Sequence, residues 1–133
     1  MDFDFYEIDI YDEFKKNVKR LTIKKHFFSL PAQIEELKSK LTVGDFDEPP
    51  IFHRIEPYSC DVYKVRLPNP DTNQGKSNGY RVIYAVITEI KIVVFLAIYY
   101  KKEHESLTDT YISGLIDGYF LDSAEESEDW SGI

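Results

Sequence analysis

The run Ile-Val-Val-Phe-Leu-Ala-Ile-Tyr-Tyr at 92–100 is the tightest constraint in this chain. A strand with one wet face alternates apolar and polar residues. A run that is apolar throughout belongs to a central strand covered on both sides. It is also far shorter than the ~18–20 apolar residues of a membrane-crossing helix, so no membrane partner is expected.

Two further strand-like runs precede it, at 62–67 and 80–88, and the third strand itself spans about 91–101. The first two are linked by residues 68–79, rich in Pro, Asn, Asp and Gly, which is turn and loop chemistry. The last two are joined tightly around Glu89 and Ile90, which predicts an antiparallel hairpin. Upstream, residues 4–10 read as a short strand. From Tyr11 on, Phe14, Val18 and Leu21 recur at helical spacing. A second helix is expected from about Ser29 or Leu30 to Thr42. Pro31 suits its first turn, Ile34, Leu37 and Leu41 form its stripe, and Gly44 can close it. Residues 45–58, with Pro49, Pro50 and Pro57, read as an irregular connection. A last helix begins near Thr108, a good N-cap, with Ile112, Leu115, Ile116 and Tyr119 on one face. Helices and strands in separate runs predict an α+β domain over residues 1–121, with helices packed on one face of an antiparallel sheet. Residues 122–133 form an acidic C-terminal tail.

The chain of 133 residues has a net charge of −8, which at first argues against nucleic-acid binding. The distribution of that charge points the other way. Residues 1–13 hold six acids and no Lys or Arg, and residues 121–133 hold five more acids, again with no base. The body, 14–120, therefore has 13 acids against 16 bases. One cysteine and three scattered histidines make neither a disulfide nor a Cys/His zinc site, so no metal and no cofactor are expected. The acidic first residues do not look like an export signal, and a cytoplasmic protein is expected.

In a three-stranded meander, the end of the first strand, the start of the second and the end of the third share one edge. Those positions hold Lys64 and Arg66, then Arg81, then Lys101 and Lys102. Lys64 and Arg66 leave the same strand face, while Tyr63, Val65 and Leu67 take the other and are core candidates. Strand-end cations can simply guard an edge against aggregation. Five that converge, with few acids near them in sequence, are better explained by an anionic ligand.

The segments Tyr63-Lys64-Val65-Arg66-Leu67, Gly79-Tyr80-Arg81-Val82-Ile83-Tyr84 and Ile98-Tyr99-Tyr100-Lys101-Lys102-Glu103 resemble the core of the RelE-type toxins of bacterial toxin–antitoxin modules, within the RelE/ParE superfamily. The resemblance spans most of residues 3–120. It implies a RelE-like, microbial-RNase-like fold: an antiparallel sheet with two N-terminal helices packed on it and a C-terminal helix. It also implies a ribosome-dependent endonuclease that cuts mRNA, inhibits translation and is silenced by a cognate antitoxin.

The chemistry implied is attack of a ribose 2′-hydroxyl on the adjacent phosphorus. Fixed positive charge would stabilise the developing dianion. By position in the family pattern, Lys64 and Arg81 would stabilise the phosphorane. Arg66 stands where the family has a lysine base, and Lys102 where it has an arginine that assists the leaving group. Lys76, Lys101 and a base-stacking Tyr111 complete the site as substrate-binding residues. Arginine does not deprotonate in proteins, so Arg66 suits a phosphate clamp; either Lys64 or Glu103 takes the base role, or activity is weak.

Two readings from other classes stay open. One is a ParE-like gyrase inhibitor with no catalytic site; the other is a degenerate member that only binds its antitoxin. The acidic tail, with Trp130, either solvates the chain or folds back over the cationic edge as an internal mimic of RNA or antitoxin. Gly75-Lys76-Ser77 imitates a nucleotide loop but lacks the earlier glycine and precedes a strand. Cys60 reads as an inert thiol, His104 as an exposed loop residue, and His26 and His53 as residues without evident partners.

Overall fold

The computed structural model describes residues 5–104 and 106–131, with side chains described through Ser123. Strand β1 (Glu7–Ile10) leads directly into helix α1 (Asp12–Lys19), which ends in a π-helical turn, Arg20–Lys24. Helix α2 is Leu30–Thr42, followed by strands β2 (Phe52–Arg54), β3 (Cys60–Leu67), β4 (Tyr80–Ile87) and β5 (Ile92–Tyr100), then helix α3 (Asp109–Ser131). The five strands form one sheet in the order β1-β5-β4-β3-β2.

The expected α+β architecture is present, with three differences. The sheet is mixed, because β1 runs parallel to β5, with Glu7 opposite Ile92 and Ile10 opposite Phe95. A hairpin forces antiparallel pairing. These two strands are separated by most of the chain, so no turn dictates their direction. Strand β2 sits inside the proline-rich stretch predicted to be irregular. It is three residues long and lies on the sheet edge, where nearby prolines are tolerated.

The third difference concerns the helices, which do not share one face. Helices α1 and α2 cover one side, burying Phe14, Leu21, Leu30, Ile34, Leu37 and Leu41 against Tyr63, Val82, Tyr84 and Phe95. Helix α3 covers the other, placing Ile112 and Ile116 on Cys60, Val62, Ile83, Ala85, Ile87 and Leu96. Both faces of β4 and β5 are apolar, so each needs a cover, and the central-strand pattern at 92–100 is thereby explained. Among the described residues no helix is long and apolar enough to cross a membrane.

Sequence chemistry explains the local joints. Gly44 adopts φ 80°, the left-handed conformation that closes α2 and that glycine reaches without strain. Beyond the end of β1, α1 takes over the upper edge of β5: Tyr11 N donates to Phe95 O at 3.0 Å, and Ile98 N donates to Asn17 Oδ1 at 3.1 Å. The connection after α2 is tied down by Tyr84, whose hydroxyl donates to Asp47 at 2.7 Å, and Tyr63, which donates to Glu48 at 2.9 Å. The Lys91 backbone, at φ 56°, completes the tight β4–β5 hairpin.

One irregularity in β5 decides which way Tyr99 faces. Ile83 pairs with Ala97 but its neighbour Tyr84 pairs with Phe95, so a bulge at Leu96 breaks the alternation. Below it Phe95 faces α1 and α2; above it Tyr100 does so, and Tyr99 is turned to the α3 side. Strict alternation from Phe95 would have put Tyr99 with the helices α1 and α2.

Candidate functional site

On the α3 side, the upper end of the sheet carries two cross-strand rows. Arg66 pairs with Arg81, and Arg81 with Tyr99; one step below, Lys64 pairs with Ile83 and Ile83 with Ala97. Paired residues on adjacent strands lie ~5 Å apart and point to the same face. The three cations that the sequence placed together are therefore neighbours. None of Lys64, Arg66 and Arg81 makes an ion pair with a described residue.

The three are not equivalent. Arg66 is exposed and Lys64 half-buried, but Arg81 is only 5% exposed. Its guanidinium donates to the carbonyls of Lys76 at 2.9 Å, Ser77 at 2.9 Å and Tyr80 at 3.3 Å. Burial first, and the neighbouring Arg66 charge second, lower its pKa. Arginine nevertheless remains charged. Arg81 is thus a fixed positive charge that also folds the 68–79 loop.

That loop is held from several sides. Asn69 and Gln74 exchange backbone hydrogen bonds at 2.8 and 2.9 Å, and the Asp71 carboxylate accepts from Ser29 N at 3.1 Å, ahead of α2. Gly79 lies against the end of β3, where an added Cβ would overlap the Leu67 carbonyl oxygen and the Pro68 backbone. Only glycine allows this approach, which explains the Gly79-Tyr80-Arg81 order physically. Lys76 is exposed on the loop and shares with Arg66 a cleft of about 440 Å³ between the β3 edge and α2.

Lys101 and Lys102 follow β5 at the same end of the sheet. Lys101 N donates to Gly79 O at 2.9 Å, which ties this turn to the loop, and Lys102 is exposed. Glu103 is not available as a base. Arg20 contacts its carboxylate at 2.6 Å and Lys25 at 3.2 Å. The Arg20 hydrogen bond is the main cause that holds its carboxyl below the usual range. A carboxylate so stabilised as an anion is a weak proton acceptor.

Tyr111 is exposed on the first turn of α3, across from the Tyr99 side of the row. It lines a cavity of about 430 Å³ between α1, the end of β5 and the start of α3, together with Glu13, Arg20, Tyr99 and His104. His104, predicted to be a loop residue without a role, sets its ring edge-on to Tyr99 at 6.1 Å. The Tyr99 hydroxyl is buried and has no hydrogen-bond partner among the described residues.

Some expectations need correction. His53 has partners: its Nδ1 lies 2.7 Å from Asp61 and its Nε2 3.1 Å from Ser59. The three are exposed or half-exposed on the β2–β3 hairpin, and His53 and Asp61 are cross-strand partners, so the array fastens the edge strand. The sequence hides this because β2 itself was not legible. Cys60 is buried and burial raises its pKa, as an inert thiol requires. Past Leu121 the backbone continues helical to Ser131. Helix α3 starts beside Tyr99 and runs toward β1, where Tyr119 donates to Asp9 at 2.7 Å, so its course leads away from the cations. The side chains of Glu125, Glu126, Glu128, Asp129 and Trp130 lie outside those described.

No protein-family model matches the chain, and no curated protein matches it. Among solved structures, Escherichia coli toxin RelE, as a double arginine-to-alanine mutant in the free state, superposes with a TM-score of 0.51 at 22% identity. The match covers 76% of this chain and 88% of that one. The fold is therefore RelE-like.

Proposed function

We propose that this chain is the toxin of a toxin–antitoxin pair and a ribosome-dependent mRNA endonuclease that inhibits translation in the cytoplasm. The observation that carries the reading is the register Arg66–Arg81–Tyr99 with Lys64 one step below, on a RelE-like fold, with no carboxylate paired to any of the three cations among the described residues.

In this mechanism the scissile phosphodiester lies across the upper end of the sheet. The ribose 2′-hydroxyl attacks phosphorus as the bond to the 5′-oxygen breaks, leaving a 2′,3′-cyclic phosphate and a 5′-hydroxyl. Lys64 takes the hydroxyl proton and then stands as an ammonium beside the phosphorane. Arg66 clamps a non-bridging oxygen, because its fork suits phosphate and it cannot act as a base. Arg81 adds charge that is already oriented by the Lys76, Ser77 and Tyr80 carbonyls, so little reorganisation accompanies the reaction. Lys102 returns a proton to the leaving oxygen. Lys76, Lys101 and Tyr111 bind the flanking RNA, and a cognate antitoxin silences the protein by covering the same open end.

Induction in a bacterial host with primer-extension mapping of mRNA ends tests this, comparing wild type with Lys64→Ala. Lys64 is the better probe because Arg81→Ala also releases the loop. Growth arrest with new mRNA 5′ ends, both abolished in Lys64→Ala, is the expected result. Arrest that persists undiminished in Lys64→Ala without new ends would instead indicate a gyrase-type inhibitor. Absence of arrest from the wild type would indicate a protein that only binds its antitoxin.

A further inference from the structure

At the lower end of β3, a serine, a histidine and an aspartate form a hydrogen-bonded chain. Ser59 Oγ lies 3.1 Å from His53 Nε2, and His53 Nδ1 lies 2.7 Å from Asp61 Oδ1. A carboxylate only accepts hydrogen bonds, so Nδ1 carries the proton that faces Asp61. In the neutral ring, Nε2 is then a lone pair directed at the Ser59 hydroxyl. The cross-strand pair of His53 and Asp61 would fasten β2 without a serine. It does not require the return of residues 55–58 that brings Ser59 to the second ring nitrogen. Ser59 has no other side-chain hydrogen bond among the described residues. Asp61 alternates with Tyr63 and Val65 toward the α1 and α2 side, whereas Lys64 and Arg66 take the other face, so this array is separate from the cationic site.

We propose that Ser59 is an activated nucleophile that takes the acyl group from small activated esters, a reaction separate from RNA cleavage. A hydroxyl becomes nucleophilic when an adjacent base receives its proton and a third group orients that base. Such a relay is recognised by roles and geometry rather than by fold. His53 is the base, and Asp61 is the positioning residue. Ser59 Oγ bonds to the ester carbonyl carbon as its proton passes to Nε2. The tetrahedral adduct collapses, the C–O bond to the leaving group breaks, and the alcohol departs with the proton from Nε2. An acyl ester on Ser59 and a neutral His53 remain. His53 is exposed, and Asp61 and Ser59 are half-buried, so a small molecule reaches the hydroxyl without a cleft. Ile55 and Tyr58, exposed on the same turn, give an apolar acyl group a surface to lie on.

Incubating the intact protein with p-nitrophenyl butyrate and mapping the butyryl group by peptide mass spectrometry tests this. Ser59 of the folded wild type should acylate about 100-fold faster, or more, than in the urea-unfolded chain, the scale of positioned general-base catalysis. His53→Gln and Asp61→Asn, each confirmed as folded by circular dichroism, should lose that acceleration, and Ser59→Ala should lose the adduct. Equal rates in the folded and unfolded wild type, butyryl groups on lysines alone, or an acceleration unchanged in His53→Gln would overturn the proposal. Should loss of the imidazole unfold β2, the comparison of folded with unfolded wild type decides by itself. The readout is a mass on one side chain, so it stands or falls independently of mRNA cleavage.

Discussion

The α3 side of the sheet is two surfaces in one. Its lower half, from Cys60 and Val62 through Ala85 and Ile87 to Leu96, is apolar and covered by Ile112 and Ile116. Its upper half, on the same strands, carries Lys64, Arg66 and Arg81 with Tyr99. Within two residues of β3, from buried Val62 to half-buried Lys64, the surface packed under α3 ends. The upper half contains a second contrast: Arg81 is buried and locked into backbone carbonyls, whereas Lys64 and Arg66 have no ion pair among the described residues.

Thermal or urea unfolding of point variants sharpens this contrast, beginning with the largest loss. Ile116→Ala, in the covered half, should cost about 2–5 kcal/mol as a buried cavity. Its effect on RNA cleavage should be confined to the fraction of protein unfolded. If it lost less than a conservative surface variant does, the packing of α3 on the sheet would be wrong. Arg81→Ala should cost about 1–3 kcal/mol, because the carbonyls of Lys76, Ser77 and Tyr80 lose charge-assisted donors. A wild-type denaturation midpoint in that variant would show that the loop does not depend on the guanidinium.

Glu103→Gln should cost under about 1 kcal/mol, since its ion pairs with Arg20 and Lys25 are partly exposed. The sign with pH is fixed by the lowered carboxyl. The wild-type advantage is present above the ordinary value of 4.5 and is lost as pH falls through the depressed folded value. Melting curves of both proteins should therefore converge in acid; an advantage that grew on acidification would refute the assignment. Lys64→Ala should move stability least, within about 0.5 kcal/mol, while cutting catalysis by about 10²–10³. A single variant silent in unfolding and severe in cleavage separates the two halves most cleanly.

Much of this was legible in the residues themselves. The helix stripe Ile34, Leu37 and Leu41, closed by Gly44, required only periodicity and the left-handed tolerance of glycine. The grouping of Lys64, Arg66 and Arg81 required only strand alternation and a meander. What escaped was non-local. Strand β2 is too short to show a pattern, and so the His53–Asp61 pair was invisible. Glu103 lies 83 residues from Arg20, and nothing near either announces their pairing.

The amino-acid order alone determined the kinds of element, the apolar central strand and the charge on its neighbours, because these depend on contacts within a few residues. Tertiary structure decided the parallel placement of β1, the covering of the second face by α3 and the engagement of Arg81. It also decided, through a one-residue bulge at Leu96, that Tyr99 joins the cations and forms a wall of the cavity that holds Glu13. The physical reason is that a strand's two faces are interchangeable until something packs on one of them. A single extra residue then reassigns every side chain beyond it.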